Sequence, residues 1–171
     1  MIAARRFRHA AAALLALLLA AMLSACSTTP HPQPSTGPAD AYWQGKLALR
    51  LDSQPEPKSY FANFELSGSA REGELLLTSP LGTTLARLSW QPGQAVLRRS
   101  GDEQVFDDLD ALATQATGTA LPIAAMFEWL RGHPVAARGW RADLQQLDDG
   151  RLRAHRDQPA PAADLQMVLE R

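Results

Sequence analysis

The chain has 171 residues, 46% of them apolar, with 17 basic and 18 acidic side chains and a net charge of −1. That length suits one domain of ordinary size with enough apolar residues for a core. A near-neutral chain with no basic stripe and no nucleic-acid motif argues against nucleic acid as a partner.

The first 25 residues have the layout of a secretory signal peptide. Arg5, Arg6 and Arg8 form a positive start, and Ala10 to Leu23 is an unbroken apolar run of 14 residues. That is short of the roughly 20 residues needed to span a bilayer. The run ends in Leu23-Ser24-Ala25-Cys26, the arrangement of a lipoprotein signal. Cys26 is the one cysteine of the chain, so no intrachain disulfide can form. In an oxidising compartment a lone thiol is a liability that acylation removes. Cleavage before Cys26, its lipidation and a stable membrane anchor are the expectation, because two or more acyl chains hold a protein on a bilayer. Cleavage removes three arginines from the 17 basic residues, leaving 14 against 18 acidic ones and a net charge of −4. Ser27 follows the cysteine. An Asp there commonly retains bacterial lipoproteins in the inner membrane, so by analogy with lipoprotein sorting the outer membrane is the expected destination. Residues 26–41 are read as the lipidated N-terminus and a tether with four prolines, and 42–171 as one globular domain.

The domain opens with strand alternation. Trp43, Leu47, Leu49 and Leu51 share one parity, with Lys46 and Arg50 on the other. Ser53 to Lys58 is a turn with two prolines. Tyr60, Ala62, Phe64 and Leu66 form the apolar face of a second strand, and Phe61 falls on its other face. Leu75-Leu76-Leu77 makes a third strand that is apolar on both faces. Ser79-Pro80-Leu81-Gly82 interrupts, and Leu85 to Trp90, with Leu88, resumes as a fourth strand. Val96 to Arg99 and Gln104 to Phe106 form a further hairpin.

The period then becomes helical. Asp107 or Asp108 caps a helix bearing Leu109, Leu112, Ala113 and Ala116, and Gly118 stops it. Leu121-Pro122 opens a second helix on which Ile123, Met126, Phe127 and Leu130 recur as one apolar face, ended by Gly132 and Pro134. Trp140, Ala142 and Leu144 alternate, Asp148-Asp149-Gly150 is a hairpin-type turn, Leu152 and Ala154 alternate, and Leu165, Met167 and Leu169 form a last strand. Six strands, two short helices and three strands predict a mainly antiparallel sheet that curls, with the helices over its concave side.

No catalytic constellation is present. His31, His133 and His155 lack metal-ligand spacing, Ser67-Gly68-Ser69 lacks the nucleophile-elbow pattern, and the aspartates suit helix starts and turns. No enzymatic activity and no cofactor are expected. The Pro80-Leu81-Gly82 turn is different: Pro80 fixes its approach, Gly82 permits a sharp reversal, and Leu81 is left at an exposed tip, where on a tethered protein it can enter a bilayer.

Several stretches resemble the LolB family of outer-membrane lipoproteins. They are Cys26 after its signal, Trp43-Gln44-Gly45-Lys46-Leu47, Phe61 to Phe64, Leu75 to Gly82, Thr117-Gly118 with Leu121-Pro122-Ile123, and Trp129-Leu130-Arg131-Gly132-His133-Pro134. The resemblance implies an incompletely closed antiparallel barrel with helices lidding a hydrophobic cavity. It implies receipt of an acylated lipoprotein from a LolA-type periplasmic carrier and its release, without nucleotide, into the inner leaflet of the outer membrane. The partners are then that carrier, the cargo and outer-membrane phospholipid, with the domain facing the periplasm as a monomer. The family's exposed loop leucine corresponds to Leu81. The expected cavity walls are Trp43, Leu47, Leu49, Phe64, Leu66, Leu88 and Trp90, with Ile123, Met126, Phe127 and Leu130 on the lid. Longer relatives carry more chain after the position of Trp140, which leaves the last strands and the closure of the barrel open. A scaffolding envelope lipoprotein and a carrier of free lipid are the rival readings.

Overall fold

A computed structural model describes residues 41–117, 119 and 121–170; Cys26, the signal peptide, the tether and Gly118 lie outside the described residues. Six strands come first: β1 Ala41–Leu51, β2 Lys58–Gly68, β3 Gly73–Thr78, β4 Thr84–Gln91, β5 Gln94–Arg99 and β6 Asp102–Phe106. Helices α1 Leu109–Thr117 and α2 Ile123–Leu130 follow, then β7 Trp140–Asp143, β8 Arg151–Arg156 and β9 Ala163–Leu169. All nine strands form one antiparallel sheet in the order β6-β5-β4-β3-β2-β1-β9-β8-β7. The sheet is not closed: β6 and β7 are its edges, and the C-terminal strand lies next to β1 near its middle.

Alternation sets the inner face. Leu47, Leu49 and Leu51 of β1, Phe64 and Leu66 of β2, Leu75 of β3, Leu88 and Trp90 of β4 and Leu97 of β5 are buried. The triple leucine is resolved by register: Leu75 and Leu77 pair with the inward Leu88 and Ala86, and Leu76 stands outside between Glu65 and Arg87. Gly45 lies where β1 presses on β9, and a Cβ there would collide with the Val168 carbonyl and come within 2.9 Å of Leu169 Cα.

Asp108, of the two candidate caps, accepts the Ala111 N–H at 2.7 Å and starts α1. Helix α2 departs from its one-sided pattern. Ala125 and Trp129 are buried as well as Ile123, Met126, Phe127 and Leu130. The chain after α2 folds back over it, so that Trp129 Nε1 donates to the Val135 carbonyl at 2.7 Å. A helix covered on several sides is apolar nearly all round. The Asp-Asp-Gly turn is also longer than predicted. β7 ends at Asp143, and a 3-10 turn, Leu147–Asp149, precedes Gly150 at φ 74°.

Candidate functional site: an apolar hollow beside an exposed loop

α2 fills one part of the concavity. Phe127 meets the Trp43 and Trp90 rings edge-on at 5.9 and 6.1 Å, and the Arg131 guanidinium lies 5.7 Å from the Trp43 ring and 5.8 Å from Phe127. Another part stays empty. A hollow of about 750 Å³ has an apolar floor of Leu47, Leu49, Ala62, Leu77, Ala86, Ala116 and Leu121. Its rim is Ser59, Tyr60, Phe61, Thr83, Thr84, Leu85, Arg99 and Ser100, with Gln115 and Thr117 from the last turn of α1. Its volume falls within the roughly 300–1,000 Å³ of small-molecule sites. Arg99 bridges the roof by donating to the Ala116 carbonyl at the end of α1.

The sheet itself makes the mouth. The β2–β3 ladder stops at Asn63↔Thr78, so Lys58 to Ala62 pair with β1 alone. Opposite, Thr78 pairs with Thr84 and Leu77 with Ala86, which leaves Leu85 as the extra residue of a bulge. Bulges re-aim side chains in this way beside functional sites.

The loop that runs into this rim is tightly tied. Gly82 N–H donates to the Ser79 carbonyl at 2.8 Å, closing a turn with Pro80 and Leu81 at its corners. Leu81 keeps a negative φ and Gly82 takes φ +85°, the arrangement of a type I turn with Pro second and Gly fourth. Ser79 N–H donates to the Thr83 carbonyl at 2.8 Å, and the Thr83 N–H returns to Ser79 Oγ at 3.1 Å. Asn63 Nδ2 holds the Ser79 carbonyl at 3.3 Å. Leu81 is held out at 95% exposure.

Of the predicted wall residues, Leu47 and Leu49 border the hollow. Phe64, Leu66, Leu88 and Trp90 lie in the packed core, as do Ile123, Met126, Phe127 and Leu130, and Trp43 is half-buried beside them. Periodicity reports which way a side chain faces, and a filled core and the wall of a hollow face the same way. The roof is likewise the end of α1 and Leu121 rather than the apolar face of α2. Ala62, Leu77, Ala86, Ala116 and Leu121 were not anticipated. A signal was present in the alanines: small side chains at inward positions leave space that leucine or phenylalanine fills elsewhere.

Two further clusters lie outside the hollow. Arg156 is 2% exposed, donates to the Pro161 carbonyl at 2.8 Å and to Thr119 Oγ1, and lies 5.3 Å from the Trp140 ring. It ties the linker between the helices to the β8–β9 loop, and burial lowers its pKa. On the outer face His155 bridges Asp157 through Nε2 at 2.8 Å and Asp164 through Nδ1 at 2.7 Å.

Residues 42–162 match the family model of the outer membrane lipoprotein LolB. The chain belongs to the LolB family. It is 30% identical over 156 residues to the outer-membrane lipoprotein LolB of Bordetella petrii, covering 79% of this chain and 78% of that one. It is 33% identical over 140 residues to LolB of Chromobacterium violaceum, covering 81% and 73%. It is 33% identical over 121 residues to LolB of Bordetella pertussis, covering 70% and 61%. LolB membership makes this chain an outer-membrane lipoprotein. No described helix is long and apolar enough to cross a membrane.

Proposed function

We propose that the chain takes acylated lipoproteins from a LolA-type carrier, holds their acyl chains in the hollow, and releases them into the inner leaflet of the outer membrane. Its own anchor is the acylated Cys26, with the domain in the periplasm. The observation that carries this reading is one juxtaposition: an apolar hollow of about 750 Å³ whose rim runs directly into a loop with a fully presented leucine. Burial of hydrocarbon stabilises by about 25 cal/mol per Å². A receptor that buries more chain surface than its carrier therefore draws cargo forward without nucleotide. Leu81, set at its corner by Pro80 and Gly82, acts on the release side by entering the bilayer.

The test is transfer of a radiolabelled lipoprotein from purified LolA to the full chain, followed by incorporation into liposomes. Cargo is expected to co-purify with the chain and then to enter the vesicles. Leu81→Glu is expected to accept cargo normally and to release it poorly. No transfer from a loaded carrier would favour the scaffold or free-lipid reading, and normal release by Leu81→Glu would remove the loop from the mechanism.

A further inference from the structure

Among the polar residues of its rim, the hollow carries three large apolar side chains that are left exposed. Phe61 is 67% exposed, Tyr60 44% and Leu85 41%, and all three border the mouth that the Leu81 loop flanks. Single exposed apolar residues are ordinary, but a contiguous group beside a cavity marks a contact surface. Both aromatics sit on the part of β2 that β3 leaves uncovered, and Leu85 is there because the bulge supplies one residue too many for the ladder. Tyr60 adds a wet hydroxyl to an apolar ring, the combination suited to a membrane–water boundary. Lys58 opens the same stretch of β2, is exposed, and makes no ion pair among the described residues.

We propose that this rim is a second bilayer contact: Phe61, Tyr60 and Leu85 rest in the lipid interface beside the inserted Leu81, and Lys58 meets lipid phosphate. The mouth of the hollow then faces the membrane, and acyl chains pass into lipid without crossing water. This rests on the reading of Leu81 above and extends it to the surface around the mouth.

The reach of the chain favours a bilayer over a protein as the occupant. Ala41 pairs with Gly68 at one end of the sheet, and Thr78, the last residue before the Leu81 loop, lies five strand levels away, opposite Asn63 and Lys46. Five levels at about 3.3 Å each and two strand spacings of about 4.8 Å put Thr78 about 19 Å from Ala41, and up to about 10 Å of loop puts Leu81 within roughly 29 Å of it. Residues 27–40 span at most about 46–50 Å by covalent geometry. An anchor at Cys26 therefore keeps this rim within reach of the membrane that holds it, and a Lys beside aromatics suits a surface of phosphates.

The experiment places an environment-sensitive fluorophore on Phe61→Cys, Leu85→Cys, Leu81→Cys and Val105→Cys in the full acylated chain. Val105 is 60% exposed on the edge strand β6 and serves as the reference. The probe is a phosphatidylethanolamine–phosphatidylglycerol vesicle with and without nitroxide-bearing lipid. Labels at 61, 81 and 85 are expected to shift to the blue on adding vesicles and to be quenched by the nitroxide, while the label at 105 stays unchanged. Shift and quenching at 81 with 61 and 85 unmoved would overturn the rim and leave the loop. A response at 61 and 85 to the carrier protein but not to vesicles would make the rim a protein-docking site and overturn the proposal. No response at 81 would overturn the reading of Leu81 itself.

Discussion

His155 shows how a polar residue on the outward parity of a strand becomes part of the fold. It hydrogen-bonds Asp157 and Asp164, and these bonds, that to Asp157 first, raise its pKa. The same contact from His155, followed by Arg141 at 2.8 Å, lowers the pKa of Asp157. A raised imidazole stabilises the fold fully below its unfolded pKa of about 6.5 and loses that contribution as pH rises through the folded value. A lowered carboxyl contributes above its unfolded pKa of about 3.9 and loses it as pH falls through the folded value. The cluster is thus strongest between about pH 4 and 6.5, and half-exposed groups make it small and sensitive to salt. Thermal melts from pH 6 to 9 are expected to fall more steeply for the native chain than for His155→Gln at low salt; parallel curves would rule this out. Gly45 makes the opposite demand, for the absence of a side chain. Gly45→Ala puts a methyl group against the Val168 carbonyl in the ladder between β1 and β9. A forced overpacking of about 1–3 kcal/mol is expected, read as a lower denaturant midpoint; an unchanged midpoint would show that β9 moves aside at no cost.

At the scale of elements, packed core and hollow make different predictions for neighbouring residues of one strand. Phe64 is buried in β2, and Phe64→Ala is expected to cost about 3–5 kcal/mol with little change in dye binding per folded molecule. Ala62, two residues earlier on the same face, borders the hollow. Ala62→Phe is expected to fold and to lose binding of a hydrophobic fluorophore along with cargo acceptance. Undiminished binding by Ala62→Phe would place the ligand elsewhere. This contrast also measures what the sequence carried. Period-2 and helical patterns located nine strands, two helices and the inward parity, because those depend on local alternation and on punctuating residues such as the two prolines between Ser53 and Lys58 and the cap Asp108. The Leu81 loop was legible because Ser, Pro and Gly each occupy a turn position that demands them. The hollow was not, since its walls depend on where α2 packs, on the early end of the β2–β3 ladder and on one bulge at Leu85. Register and helix placement are set across the sheet, by partners distant in sequence. Arg156, which joins the helix linker to the β8–β9 loop, escaped notice for the same reason.

Across the whole molecule, strand order separates the entry of the chain from its working end. β1 starts beside Gly68 and Gly73, and the mouth and Leu81 lie toward the other end of the sheet. A lipid on Cys26 and a leucine at position 81 engage one bilayer only if the intervening chain runs back along the domain. The separation of Leu81 from Ala41, at most roughly 29 Å from strand rise, strand spacing and loop reach, lies inside the 46–50 Å or so that fourteen residues can span. Deleting residues 28–35 leaves six, which reach about 20–22 Å at most. Fully extended, that barely covers the separation of about 19 Å from Ala41 to Thr78 alone, so the shortened chain is expected to accept cargo from the carrier at the native rate yet to release it poorly into the vesicle holding it. A Gly-Ser segment of fourteen residues has an average span near 19–22 Å but the full maximum, so it is expected to restore most of the release. Length would then outweigh proline content. Native release by the shortened chain at high vesicle dilution would show that Leu81 inserts without regard to the anchor. Vesicle-concentration dependence separates the cases: release into the anchoring bilayer is independent of added empty vesicles, and release into a second bilayer rises with them.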